Sequence, residues 1–106
     1  MRQPRVLIQI LLPLYGAEGR PIPRRTFEKT AAELVRDFGG LTAYRRSPAQ
    51  GLWRTGRRRV ERDDIVIYEV MADRLARRAW NARRRELERQ YRQQSIVIRA
   101  LRFQPL

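Results

Sequence analysis

Three polar side chains stand inside three otherwise apolar stretches of the chain, and their types could do chemistry. Gln9, Glu69 and Arg99 interrupt the apolar runs 6–12, 65–71 and 96–101. A polar group in an apolar strand costs free energy unless it finds a hydrogen-bond partner. An amide, a carboxylate and a guanidinium can satisfy one another, or can together hold a small polar ligand. We therefore expect these three side chains to meet, either as a structural pairing or as a site.

Few other residues are suited to catalysis. The sequence has no histidine and no cysteine, so the commonest general base, the thiolate nucleophile and the usual transition-metal ligands are absent. Ser47 and Ser95 have no recognisable base, and the adjacent Asp63 and Asp64 indicate a turn rather than a metal site. We expect no metal, no other cofactor and no covalent enzyme. The remaining enzymatic alternative is cofactor-free, with a site among Gln9, Tyr68, Glu69 and Arg99.

Composition indicates one compact domain over residues 1–106. A chain of 106 residues with 42% hydrophobic content can build a single two-layer core. The first apolar run is about a third of the length that spans a bilayer, and Pro13 closes it, which indicates a buried strand rather than a signal peptide or membrane helix. We therefore expect a cytoplasmic protein with no membrane partner.

The formal net charge is +13, and every basic residue except Lys29 is arginine. Codon usage in a GC-rich genome explains the choice of arginine, but it does not explain the shortage of acidic residues. Such an excess attracts polyanions at low salt. Arginines interleaved with aromatic residues suit single-stranded nucleic acid. The candidates here are Tyr44, Arg45, Arg46, Arg54, Arg57, Arg58 and Arg59, with Trp53 between them. In the alternative interpretation, Trp53 packs on a neighbouring subunit and the arginines pair with acidic residues.

The elements that must position these residues follow the order strand, helix, strand, strand, helix, strand. Apolar residues at helical spacing predict a first helix over 24–38, stopped by Gly39-Gly40. A second helix is predicted over 72–94, with Arg83 inside its apolar stripe and lying along Trp80. Strands are predicted over 6–12, 41–46, 65–71 and 96–101. Residues 51–64 are predicted to form a protruding arm of the hairpin between the second and third strands.

Strand polarity selects a topology. The first and third strands are apolar on both faces and should be central, while the second and fourth are more polar and should lie at the edges. This predicts an α+β, ferredoxin-like βαββαβ fold with an antiparallel sheet of order 4-1-3-2 and both helices on one face. Side chains alternate along a strand, so the other face should carry one set of residues. This set is Leu7, Gln9, Leu11, Ile65, Ile67, Glu69, Val97, Arg99, Leu101 and Phe103.

An open face of this kind would be a large exposed apolar patch, which soluble monomers rarely display. We therefore expect the chain to form a homo-oligomer. The apolar members of the set, together with Trp53, are the predicted interface, and Gln9, Glu69 and Arg99 would set its register or hold a small polar or anionic ligand.

The layout resembles a known group of proteins. A long central hairpin with Trp53, then Gly56-Arg57, then Glu61 before the strand 65–70 is similar to the trimeric proteins related to nitrogen-regulatory PII and to the CutA copper-tolerance proteins, and to small bacterial ferredoxin-like domains of unknown function. The resemblance implies a trimer with ligand clefts between subunits. The chain lacks the metal ligands and the Gly-rich phosphate loop of those relatives, so metal or nucleotide sensing is not implied.

The expected function is therefore a non-enzymatic, homo-oligomeric binding or assembly module, either a trimer or a dimer. A nucleic-acid-binding protein and a cofactor-free enzyme are the alternatives.

Overall fold

Four strands and two helices form from the segments that the hydrophobic pattern marks. A computed structural model describes residues 4–16, 19–46 and 65–106. The predicted hairpin arm, with Trp53, Arg54, Arg57, Arg58 and Arg59, lies outside the described residues. The elements are β1 (Val6–Pro13), α1 (Arg24–Phe38), β2 (Thr42–Arg46), β3 (Ile65–Ala72), α2 (Arg77–Gln90) and β4 (Val97–Arg102).

The strands form one antiparallel sheet in the order β2-β3-β1-β4. This is the predicted order 4-1-3-2, counted from the opposite edge, so the strand-polarity argument is confirmed. The protein is thus an α+β fold with two helices and an open sheet. The two most apolar strands, β1 and β3, lie in the middle, where both of their edges are paired.

One face of the sheet packs against the helices and forms the core. Ile8, Ile10 and Leu12 of β1 are fully buried there, as alternation along a strand requires. The helices cover them with one cluster of large side chains, including Leu34 of α1 and Trp80 of α2. Burial of this apolar surface is the main stabilising contribution to the fold.

The first helix has the predicted bounds. It begins at Arg24, directly after Pro23, and ends at Phe38. Gly39 then takes a left-handed conformation with φ of 80°, and its N–H donates to the carbonyl of Val35. This is the glycine stop that the Gly39-Gly40 pair predicts.

The prediction of the second helix is wrong at both ends. Ala72 is the last residue of β3, where it pairs with Val6, and the helix begins only at Arg77. Ala76 precedes the helix and Ala79 is exposed, so neither belongs to the packed stripe. The helix ends at Gln90, and Arg92 has φ of 51°, which a continuing helix cannot accommodate.

Arg83 lies where its position in the stripe indicates. Its guanidinium carbon is 5.3 Å from the centroid of Trp80, and its Nη2 donates to Asp37 Oδ2 at 2.5 Å. The side chain therefore joins α2 to the end of α1 through an aromatic stack and an ion pair.

Candidate functional site

The candidate site lies on the sheet face that the helices leave open. The register places Gln9 of β1 opposite Glu69 of β3 on one side and opposite Arg99 of β4 on the other. Arg99 Nε donates to Gln9 Oε1 at 2.5 Å, and Gln9 Nε2 donates to Glu69 Oε1 at 2.6 Å. A primary amide has both a donor and an acceptor, so Gln9 can link the cation and the anion. The structure thus brings together the three side chains singled out in the sequence, with Gln9 as the bridge.

A fourth side chain extends this row toward the far edge of the sheet. The phenol of Tyr44 on β2 shares the open face with Glu69, and interaction with that carboxylate raises the pKa of Tyr44. We call Arg99, Gln9, Glu69 and Tyr44 the polar row. It crosses all four strands. Tyr44 was predicted only as a nucleic-acid contact. Alternation along a strand predicts which face a residue lies on, but it does not predict which residue of the neighbouring strand lies beside it.

The polar row lies within an apolar surface that is only partly covered. Val97 and Leu101 of β4 are 53% and 46% exposed, and Met71 of β3 is 54% exposed. Leu7, Leu11, Ile65 and Phe103 are half-buried. Ile67 differs from the prediction that it would be displayed: it is only 7% exposed, and Leu11 and Tyr44 lie opposite it on the two neighbouring strands.

The placement of Tyr68 removes it from the candidate site. It is adjacent to Ile67 and Glu69 in a strand, so its side chain lies on the helix-covered face. It is buried there, and its hydroxyl donates to the carbonyl of Phe27 at 3.5 Å. Burial also raises the pKa of its phenol. The proposed combination of Tyr68 with the three polar residues is therefore wrong.

The structure also separates the candidates for nucleic-acid contact. Tyr44 pairs with Ile67 and Arg45 pairs with Val66, so the two neighbours lie on opposite faces of the sheet. Arg46 is the last residue of β2. Tyr44 and Arg45 therefore do not contribute to one surface.

A cleft of about 780 Å³ opens beside Glu69. Its walls include Leu7, Thr42, Glu69 and Met71 from the open face and residues 37–41, from the end of α1 and its connection to β2. Glu69 already accepts a hydrogen bond from Gln9. At the β4 end of the row, Arg99 uses Nε within the row and is exposed, so its terminal nitrogens can donate to an anion.

Metal coordination has little support in this part of the chain. Residues 4–16, 19–46 and 65–106 contain no group of three or more histidine, cysteine, aspartate or glutamate side chains placed to hold a metal ion. Within the same ranges, no helix combines the length and the apolar character that crossing a membrane requires.

Comparison with known proteins defines the class of fold. No family model matches the chain, and no curated protein matches it. Among solved structures, the chain is similar to a phage SAM lyase in complex with S-methyl-5'-thioadenosine. The TM-score is 0.56 at 14% identity, over 92% of this chain and 81% of the lyase chain. This likeness shows a shared fold.

Proposed function

We propose that this chain is a single ferredoxin-like domain, of the kind found in PII-like and CutA-like proteins, that works as a non-enzymatic homo-oligomeric module. The observation that supports it is the open face, where half-exposed apolar side chains surround a polar row that is already hydrogen-bonded. A second copy of the same face would remove this apolar surface from water.

The polar row would give such an interface its specificity. Desolvating Glu69 and Arg99 costs much of what their attraction contributes, so the row adds little net stability to an interface. Its internal hydrogen bonds lower that cost, because both charged groups enter the interface with partners. A partner face in the wrong register would leave the charges without a complement, so we expect the row to select one arrangement of subunits.

The cleft beside Glu69 is the proposed ligand site of the module. A second subunit on the open face would close the cleft from one side and form a pocket between subunits for a small polar ligand. S-methyl-5'-thioadenosine, which the structurally similar lyase binds, is a reasonable first probe because the two proteins share a fold. Saturable binding to the assembled protein, weakened in Glu69→Gln at an unchanged mass, would support a ligand role for the row.

Light scattering coupled to size exclusion tests the assembly. Nuclease-treated protein at moderate salt should elute as a dimer or trimer, with the absorbance ratio of pure protein. Glu69→Ala should lower the mass, because it leaves Arg99 and Gln9 without their acidic partner in the interface. Glu28→Ala removes an equal charge from the exposed surface of α1 and should leave the mass unchanged. A monomeric wild type, or equal masses for wild type and Glu69→Ala, would contradict the proposal.

The net charge of +13 favours a second candidate, binding of nucleic acid through the arginines of residues 54–59. Replacing Arg57, Arg58 and Arg59 with glutamine should then weaken binding to a single-stranded oligonucleotide and flatten its salt dependence. An unchanged titration would remove this candidate. The cofactor-free enzyme loses Tyr68, which lies on the helix-covered face, and the phenol of Tyr44 is the titratable group that stands beside Glu69 instead.

A further inference from the structure

A second cleft lies at the end of the sheet where β1 begins and β4 ends, next to the start of α2. Its volume is about 970 Å³, and residues from four segments line it. It exists because β3 runs on to Ala72 and the chain then needs residues 73–76 before α2 can begin. The helix therefore starts too far along to cover Val6 and Ala100, which face it from the sheet.

Four arginines are among the residues that line this cleft. Arg5 precedes β1, Arg74 and Arg77 flank the start of α2, and Arg102 ends β4. Asp73 is the one carboxylate among the lining residues. The ion pairs found among the described residues involve none of these four arginines. Arginines from separate segments thus border one cleft, and none of them forms an ion pair with a described carboxylate, which favours an anion beside them.

The start of α2 adds to the positive potential. Ala76 provides no side-chain cap, and the first turn contains no acidic residue. The partial positive charge of the helix dipole and the free N–H groups of the first turn therefore face the same region as Arg74 and Arg77. In most helices an acidic residue or a capping oxygen occupies this place, and here an external anion would have the same effect.

The cleft also has an apolar side. Leu75 and Phe103 are half-buried residues in its wall, beside Val6. The backbone N–H of Phe103 donates to the carbonyl of Arg5 at 3.0 Å, which ties the aromatic residue to the strand that carries one of the arginines. An anion alone would leave this surface exposed to water, whereas an anion with an apolar body would cover it.

We propose that this cleft binds a small phosphomonoester with an apolar or aromatic body. The arginines hold the phosphate, for which their planar, multiple donors are well suited. The body of the ligand lies against Leu75 and Phe103. The proposal goes beyond assembly through the open face, since the cleft does not use the polar row. Asp73 and Arg74 also line the cleft beside Glu69, whereas Arg5, Arg77 and Arg102 line only this one of the two clefts.

The test titrates the full chain with three probes, which are phenyl phosphate, inorganic phosphate and benzyl alcohol. Amide NMR shifts report the binding of each probe. Phenyl phosphate should bind most tightly, with inorganic phosphate about fivefold to tenfold weaker because it buries no apolar surface. Benzyl alcohol should be weaker still. The largest shifts should fall on the amides of residues 73–78 and 101–104.

Matched variants separate this site from general attraction to a basic protein. Arg77→Gln combined with Arg102→Gln should weaken phenyl phosphate binding about tenfold or more, because each removes charge-assisted hydrogen bonds. Arg78→Gln combined with Arg85→Gln removes the same charge from exposed positions of α2 outside the cleft and should change the affinity less than twofold. Phe103→Ala should bring phenyl phosphate down to the affinity of inorganic phosphate.

Three results would overturn the proposal. The first is no saturable shift with phenyl phosphate, and the second is an equal loss of affinity in both arginine double variants, which would show diffuse attraction only. The third is equal binding of phenyl phosphate and inorganic phosphate by the wild type. Light scattering on the same samples reports assembly separately, so failure here and failure of the open-face proposal are distinguishable.

Discussion

The two faces of this sheet are built from the same strands but are completed in different ways. Along β1, Ile8, Ile10 and Leu12 are fully buried under the helices, while Leu7, Gln9 and Leu11 alternate with them on the open side and are only half-buried. The helices of the same chain bury the covered face. The open face keeps both apolar surface and charge, and this difference is the main reason to look for its partner.

Polar groups are also handled differently on the two sides. On the covered side, Thr30 and Tyr91 are buried and bonded to each other at 2.7 Å, with Thr30 also donating to the carbonyl of Thr26. That pair is closed and has no end that reaches solvent. The polar row on the open side ends in the exposed Arg99, so it can gain a further partner. A closed pair serves the fold, whereas an open-ended row is suited to recognition.

The largest effect should come from a matched pair of substitutions on β1. Ile10→Ala creates a cavity under both helices and should lower the free energy of unfolding by about 2–5 kcal/mol. Leu11→Ala, one residue away on the open side, should cost about 1 kcal/mol or less in the monomer, since Leu11 loses less contact. Urea unfolding at low protein concentration measures both. Equal losses of unfolding free energy in the two variants would show that the two faces are equally well packed, and would contradict the contrast between a covered and an open face.

A second prediction concerns the closed polar pair and its pH dependence. Burial raises the pKa of the Tyr91 phenol well above its usual range. In the unfolded chain, Tyr91 should ionise near pH 10, while the folded protein keeps the proton, so stability should fall as pH rises above about 10. Each such group contributes a slope of up to about 1.4 kcal/mol per pH unit.

Tyr91→Phe tests this directly. At pH 7 it should cost about 1 kcal/mol, because Thr30 loses its buried partner. Above pH 10 the difference from wild type should shrink, since the variant has no phenol at this position to ionise. Tyr15→Phe, at an exposed tyrosine, is the control and should leave the alkaline slope unchanged. Parallel stability curves for wild type and Tyr91→Phe up to pH 11 would contradict the argument.

Breaking the polar row should affect the monomer less. Gln9→Leu removes both hydrogen bonds of the bridge, but Arg99 and Glu69 can then be solvated on the open face. We expect a change of about 1 kcal/mol or less in the unfolding free energy of the monomer. Under the proposed assembly through the open face, by contrast, the loss of register should broaden the distribution of masses in light scattering. A loss as large as that of Ile10→Ala would show that the row serves the fold rather than the interface.

The sequence predicts the two faces well because each depends on a simple period. Alternation along β1, β3 and β4 places Gln9, Glu69 and Arg99 on one face, and the strand order derived from polarity makes those strands neighbours. Tyr44 was not predicted to join them. The register of β2 against β3 depends on the long segment between these strands, and that segment has no alternating pattern from which a register could be predicted. The start of α2 was misplaced because Ala72 suits both a strand end and a helix start, and periodicity does not distinguish them.

The arginine-lined cleft follows from that same misplaced helix start. With a helix over 72–94, Arg74 would lie on the outward face of α2, away from Arg102. The observed strand end at Ala72 and the helix start at Arg77 turn Arg74 into a connecting residue and bring Arg77 to the end of the sheet. The arginines are conspicuous in the sequence, but their convergence depends on where one element stops and the next begins.

The smallest change in unfolding free energy should come from an ion pair that lies on neither face of the sheet. This change is the reference against which the effect of Gln9→Leu is judged. Arg24 and Glu28 pair at 3.1 Å on the first turns of α1, with side chains 92% and 66% exposed. Solvent and salt screen such a pair, so Glu28→Ala should change the unfolding free energy by less than about 0.5 kcal/mol. If Gln9→Leu differs from Glu28→Ala by no more than the error of urea unfolding, the polar row is worth no more to the monomer than a solvated surface pair. Its conspicuous alignment would then have to be explained by a partner.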